Sequence, residues 1–251
     1  MTSELSGTTA LVTGATSGIG RATAIALARL GANVLVSGRD ETRGDRVVQE
    51  IRAAGGQALF LPGELKDAAS ARALARRAKQ EAGQVDVLVN NAGIFPFGPT
   101  EQTSEEEFEA VYSLNVKAPY FLVAELAPDM AARGRGAIIN VTTMAAELGA
   151  AGMSLYGSSK AALTLLTKAW AAEYGPRGVR VNAVSPGPTR TEGTSGTPGA
   201  EDELKALAAA APAGRPGTAE EIASAIVYLA TDSAGFMHGA VVPVDGGRTA
   251  V

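Results

Sequence analysis

The sequence predicts an α/β domain in which a parallel sheet is covered by helices on both faces. Three observations carry this. Short apolar runs alternate with longer segments whose apolar residues recur at helical spacing. The apolar runs are nearly unbroken, as expected of strands buried on both faces. Strand–helix–strand order implies right-handed crossovers between parallel strands. The 251 residues, 46% hydrophobic and 19% charged, suffice to bury one sizeable core. No linker divides the chain, so 1–251 reads as one domain.

The elements follow in order. Ala10 to Thr13 is a strand that runs into glycine, and Ile19 to Leu30 is a helix stopped by Gly31. Val34 to Val36 and Ala58 to Leu61 are strands flanking a helix over Glu41 to Ala54. A helix over 67–82 leads to a strand at Val85 to Val89. One long helix over 104–132 precedes a strand at Ala137 to Thr142. A helix over 154–174, a strand at Val179 to Val184, a helix near 218–230 and a strand at Ala240 to Val244 complete the pattern. The least regular stretch, 186–217, is rich in Gly, Pro and Thr with a short Ala-rich helix inside. Its length and its place after the sixth strand mark it as a lid over a site at the strand ends.

Composition excludes several classes. There are no cysteines, hence no disulfide framework, thiolate metal site or Cys nucleophile. Lys plus Arg total 22 and Asp plus Glu 26, a formal charge of −4 that offers no general attraction for nucleic acid. No run approaches the roughly 18 apolar residues of a membrane span. The start, MTSELSGTTA, has no basic region followed by an apolar core, so a cytoplasmic protein is expected. No His/Asp/Glu cluster argues for a catalytic metal. His238, the only histidine, has no triad partner and reads as structural or interfacial.

Two local patterns carry chemistry. Thr13-Gly14-Ala15-Thr16-Ser17-Gly18-Ile19-Gly20 joins the first strand to the first helix. Gly14 permits the tight exit, Gly18 a close backbone approach and Gly20 close helix–sheet packing, while the helix start offers N–H groups to a pyrophosphate. The second strand ends Val36-Ser37-Gly38-Arg39-Asp40. In dinucleotide folds an acid here binds a free ribose 2′-hydroxyl and an Arg accommodates a 2′-phosphate. Gly38 stands in the acid's place. Arg39, with Ser37 adding a hydroxyl donor, therefore favours NADP(H) over NAD(H), although Asp40 could serve the ribose with a small shift of register. In the second pattern, Tyr156 and Lys160 are four apart on a helix, hence neighbours. A nearby ammonium would lower the phenol's pKa from about 10, making Tyr156 a candidate proton donor to a carbonyl or acceptor from an alcohol.

These patterns occur in order with Asn90-Asn91-Ala92-Gly93, Asn115 and Pro186-Gly187. In this set the chain resembles the short-chain dehydrogenase/reductase superfamily, in its short single-domain branch, over essentially its whole length. The resemblance implies a doubly wound, seven-stranded Rossmann fold and hydride transfer between a nicotinamide cofactor and a carbonyl or alcohol carbon. It implies Tyr156 as general acid/base, Lys160 as the residue that lowers its pKa and holds the nicotinamide ribose, and Asn115 as anchor of a water in a proton relay. It implies a cofactor site formed by Gly14, Thr16, Ser17, Gly18, Ile19 and Gly20. Asn91, Ala92 and Gly93 would lie along the adenosine and ribose, and Pro186, Gly187, Thr189 and Thr191 would face the carboxamide.

The chain departs from the family pattern at three places. The family places a Ser thirteen residues before the Tyr; here that residue is Thr143, which keeps the hydroxyl and adds a methyl. Glu64, before Leu65, stands where an Asp contacts adenine, and is expected either to make a shifted contact or to face water. Thr189 replaces a β-branched apolar residue. Phe95, Phe97, Met144, Leu148 and Met153 suit an apolar small-molecule carbonyl or alcohol substrate. The resemblance also implies a homotetramer. Competing readings are a non-catalytic NADP(H)-binding sensor or scaffold, a 3-oxoacyl thioester reductase, and a lyase, isomerase or dehalogenase on the same fold. The last lacks support, since no second substrate domain is present and the glycine loop and Lys160 are retained.

Overall fold

The computed structural model describes residues 4–194 and 199–251. Alternating elements build the sheet: β1 (Thr9–Thr13), α1 (Gly18–Arg29), β2 (Asn33–Gly38), α2 (Glu41–Ala53), β3 (Gln57–Pro62), α3 (Ala68–Ala82) and β4 (Val87–Asn90). They continue as α4 (Glu105–Tyr112), α5 (Ala118–Ala132), β5 (Gly136–Val141), α6 (Ser154–Tyr174) and β6 (Val179–Pro186). The chain ends with β7 (Thr189–Arg190), α7 (Ala200–Ala209), β8 (Gly217–Thr218), α8 (Ala219–Ala230) and β9 (Val241–Val244). Seven parallel strands lie in the order β3-β2-β1-β4-β5-β6-β9. This is the doubly wound Rossmann arrangement, and the order reverses between β1 and β4, where ligands of such sheets bind.

Strand alternation divides the core into two layers. Ala10, Val12, Val34, Val36, Val89 and Ile139 pack under α1, α2 and α8, against Leu27, Ile51 and Ile226. Leu11, Leu35, Leu88 and Ile138 point the other way, against Leu74, Leu122, Leu126 and Leu163 of α3, α5 and α6. Apolar residues on both faces of each strand account for the unbroken runs in the sequence. Among the described residues no helix is long and apolar enough to cross a membrane.

The helix expected over 104–132 is interrupted. A π-turn at Ser113–Lys117 separates α4 from α5. Pro119, at the start of α5, supplies the reason. It has no N–H for the carbonyl of Asn115, and its ring would collide with that carbonyl, so the regular ladder gives way one turn earlier. The irregular stretch 186–217 is closed at its base, where β7 pairs with β8. The expected Ala-rich helix within it is α7. Residues 195–198 of that stretch lie outside the described residues.

Candidate active site

The glycine loop is built by close approach. Gly14 and Gly18 have φ of 63° and 51°, in the region that excludes most side chains. A Cβ at Gly14 would lie 2.9 Å from Ala92 Cα, and one at Gly20 would lie 2.3 Å from the Gly14 carbonyl oxygen. Asn91 stitches the end of β4 to this loop, its Nδ2 donating to the Thr13 and Gly14 carbonyls at 2.9 and 3.1 Å. The Thr13 hydroxyl accepts the Asn91 and Ala92 N–H groups, both at 3.1 Å. The result is a rigid cradle at the positive end of α1. Ser17, its N-cap, makes no capping bond with its side chain. The cradle already accepts an anion: the Gly18 N–H donates to the Glu192 carboxylate at 2.8 Å. Residues of this kind fit the pyrophosphate of a dinucleotide.

At the end of β2 the predicted residues separate. Arg39 is exposed and, among the described residues, has no ion-pair partner. Asp40 is occupied: it caps α2 by accepting the Arg43 N–H at 2.9 Å and pairs with the Arg43 side chain at 2.7 Å. A Cβ at Gly38 would lie 2.5 Å from Thr16 Cγ2, so Thr16 fills the space an acidic side chain would need. Ser37 is 1% exposed. The residue expected to add a hydroxyl donor is therefore buried in the sheet. The side chain of Leu65 likewise belongs to the core beneath β3, leaving only its backbone toward a ligand, while Glu64 faces water.

The second cluster gathers at the start of α6. Tyr156 has the Thr143 hydroxyl within hydrogen-bonding reach. Phe95 stands edge-on to the Tyr156 ring, with centroids 6.2 Å apart. Lys160 is buried and donates to the Val141 carbonyl at 2.8 Å. Asn115 is fully buried in the π-turn. Its Nδ2 donates to the Ile94 carbonyl at 2.9 Å and the Ser159 hydroxyl at 3.1 Å, while its Oδ1 accepts the Ile94 N–H at 3.0 Å. Ser159 in turn donates to the Tyr156 carbonyl at 2.7 Å. Asn115 thus ties the segment after β4 to the turn of α6 that carries Tyr156. Gly93 makes this possible: a Cβ there would lie 3.1 Å from Asn115 Oδ1 and 3.2 Å from Lys160 Nζ.

The electrostatics differ from the sequence expectation. Burial raises the pKa of Tyr156, opposed by the hydrogen bond with Thr143. Lys160, expected to lower it, is itself pushed down to about 8 by burial. An amine that loses solvation holds its proton weakly and has less charge to lend its neighbour.

The residues after β6 support rather than line this cluster. Pro186 is buried beside Val244 of β9, and a Cβ at Gly187 would lie 2.6 Å from Asp245 Cα. The Thr189 hydroxyl, expected to face the carboxamide, donates to the Gly187 carbonyl at 2.9 Å, and the residue is 6% exposed. Thr191 lies against Gly18, whose Cβ would meet Thr191 Cγ2 at 3.2 Å. Sequence reasoning missed Glu192 and Ser159. It also missed a buried polar chain in which Asn90 donates to Asn140 at 2.9 Å and Asn140 to Thr167 at 2.8 Å. Only the helical spacing of Ser159 and Tyr156 could have hinted at one of these.

Comparison with known proteins places this geometry. Residues 14–249 match a family model described as enoyl-(acyl carrier protein) reductase. An uncharacterized oxidoreductase of Thermotoga maritima is 41% identical over 249 residues, 98% of each chain. The cis-4-hydroxycyclohexanecarboxylate dehydrogenase of Sinomonas cyclohexanicum is 41% identical over 244 residues, 96% of each chain. A solved structure of a candidate NAD(P)-dependent gluconate 5-dehydrogenase from Beutenbergia cavernae, with NADP bound at low occupancy, superposes with a TM-score of 0.94 at 40% identity and full coverage of both chains. Fold, site and relatives together define an NAD(P)-dependent oxidoreductase. The chain belongs to the short-chain dehydrogenase/reductase superfamily. The reading as a non-catalytic scaffold finds no favour among these relatives.

Proposed function

We propose that the protein is an NADP(H)-preferring dehydrogenase/reductase of small, apolar, alicyclic secondary alcohols and their ketones, with Tyr156 as general acid/base. The observation that carries this reading is the pairing of the Tyr156 and Thr143 hydroxyls beside the Phe95 ring, one helical turn from buried Lys160. A bound nicotinamide supplies the hydride to a carbonyl carbon or takes it from an alcohol carbon. The chain's own groups manage the proton. With its pKa raised, the Tyr156 hydroxyl is protonated at neutral pH and donates to the oxygen of a ketone as negative charge develops there. Thr143 donates a second hydrogen bond to that oxygen and orients it. Lys160 in its charged form stabilises the tyrosinate left behind. Asn115 holds the segment carrying Phe95 and, through Ser159, the turn carrying Tyr156.

The cofactor preference rests on Arg39, which has no ion-pair partner among the described residues, while Asp40 is committed to Arg43. The apolar preference rests on Phe95 and Phe97, 52% and 72% exposed on the segment after β4. The cyclohexane-ring substrate in the name of the Sinomonas relative suits such a surface. The 186–217 stretch is read as the lid. The homotetramer is read from aromatic and apolar side chains that an isolated chain exposes, notably Phe236, Leu165 and Phe108.

The test is NADPH oxidation, followed by absorbance, over cyclic ketones, linear ketones, sugar-acid ketones and 3-oxoacyl thioesters, with Tyr156→Phe beside the wild type. The proposal expects the highest kcat/KM for cyclic ketones and loss of turnover in the variant with NADPH affinity retained. Preference for the thioesters would instead establish the acyl reductase reading, and unchanged turnover in Tyr156→Phe would overturn the acid/base role.

A further inference from the structure

The contact between Gly18 and Glu192 joins groups 174 residues apart in sequence. Glu192 belongs to the short strap that leaves β7. The strap is ordered internally: the Thr194 hydroxyl accepts the Thr191 N–H at 2.8 Å and lies 2.8 Å from the Thr189 carbonyl, to which it donates. Beyond the strap, the Arg190 side chain pairs with Glu201 of α7. Strap and glycine loop meet closely enough that a Cβ at Gly18 would touch Thr191 at 3.2 Å. The Glu192 carboxylate reaches across this contact to a free N–H of the first turn of α1. That is the group, at the positive helix end, that the glycine cradle presents to a phosphate.

We propose that Glu192 sets cofactor affinity by occupying the phosphate-facing N–H of Gly18, so that a dinucleotide pyrophosphate must exchange for the carboxylate on binding. This rests on the reading of the loop as a nicotinamide-cofactor site. Two anions cannot share one N–H in a site of this size, and the displaced carboxylate leaves with its strap. Binding of the diphosphate is thereby coupled to release of the strap from the glycine loop. The strap also borders the segment carrying Phe95, which lies 3.6 Å from where a Cβ at Gly193 would stand. Cofactor binding and the shape of the substrate side are linked through one hydrogen bond.

The experiment is a fluorescence titration of NADPH on the wild type, Glu192→Gln and Glu192→Asp, and on Glu203→Gln as an equal charge change on the exposed face of α7. Binding of 2′-AMP, which has no pyrophosphate, is measured by calorimetry on the same set. An exposed hydrogen bond to a carboxylate sets the scale, so NADPH should bind about fivefold tighter to Glu192→Gln. Glu192→Asp, one methylene shorter, should tighten it as well. Glu203→Gln should change little, and 2′-AMP should bind all four proteins alike. Unchanged or weaker NADPH binding in Glu192→Gln overturns the exchange. Equal tightening of 2′-AMP, or an equal effect of Glu203→Gln, overturns it in favour of a general charge effect. Failure of the wild type to bind NADPH or NADH at all would instead remove the cofactor reading beneath it. Thermal unfolding checks that each variant is folded; Glu192 is exposed, and its removal opens no cavity.

Discussion

Arg39→Ala offers the sharpest measurement of cofactor choice. The guanidinium stands exposed at the end of β2 with no ion-pair partner among the described residues, so its removal breaks no ion pair among them. A charge-assisted hydrogen bond contributes about 1.5–3 kcal/mol, and solvent exposure at Arg39 puts the expected value at the lower end. At about 1.4 kcal/mol per decade, NADPH should bind roughly tenfold more weakly to the variant. NADH, lacking the 2′-phosphate, should bind within about twofold of the wild type on the same reasoning. The assay is nicotinamide fluorescence at low salt, repeated at about 0.5 M salt, where screening should shrink the NADPH difference. Equal weakening of both cofactors would refute the reasoning, since the side chain would then be supporting the loop rather than reading the phosphate. The reverse design is harder. Gly38→Asp alone places its Cβ 2.5 Å from Thr16 Cγ2, so conversion to NADH preference should require Thr16→Ala in the same chain.

Two further predictions concern the proton machinery. Thr143→Val keeps the shape and loses the hydroxyl beside Tyr156; kcat should fall by about 100-fold with NADPH affinity unchanged, while Thr143→Ser retains most of the rate. Turnover of Thr143→Val equal to the wild type would remove that hydroxyl from the mechanism. Burial lowers the pKa of Lys160 from 10.5 to about 8. Between those values the unfolded chain binds the extra proton, so stability should rise with pH from about 8 upward, by about 3 kcal/mol in all from this group. Lys160→Met should lack that rise in urea unfolding, and parallel curves for the two proteins would show that the amine is not desolvated.

Much of the fold was legible because it is written in local periodicity. Each predicted strand and nearly every helix appears within a residue or two, since unbroken apolar runs and helical spacing report burial directly. The glycine loop was legible for the same reason: backbone close approach demands glycine wherever it occurs. The interruption at 113–117 was missed because an apolar pattern continues through it, and its cause is a single Pro119 acting one turn back. The burial of the Ser37 and Leu65 side chains was not legible, because position along a strand does not say which neighbour encloses a residue.

Residue types and their order in the chain determined the family, the parallel sheet and the candidate chemistry of Tyr156, Lys160 and Thr143, since short-range spacing dictates these. Tertiary structure alone decided the rest. It decided that burial outweighs the Thr143 hydrogen bond at Tyr156, and that Asn115 braces Ile94 and Ser159. It also decided that Glu192 rests on Gly18. Desolvation, and contacts between groups 21, 44 or 174 residues apart, depend on which surfaces meet, and no local pattern encodes the meeting.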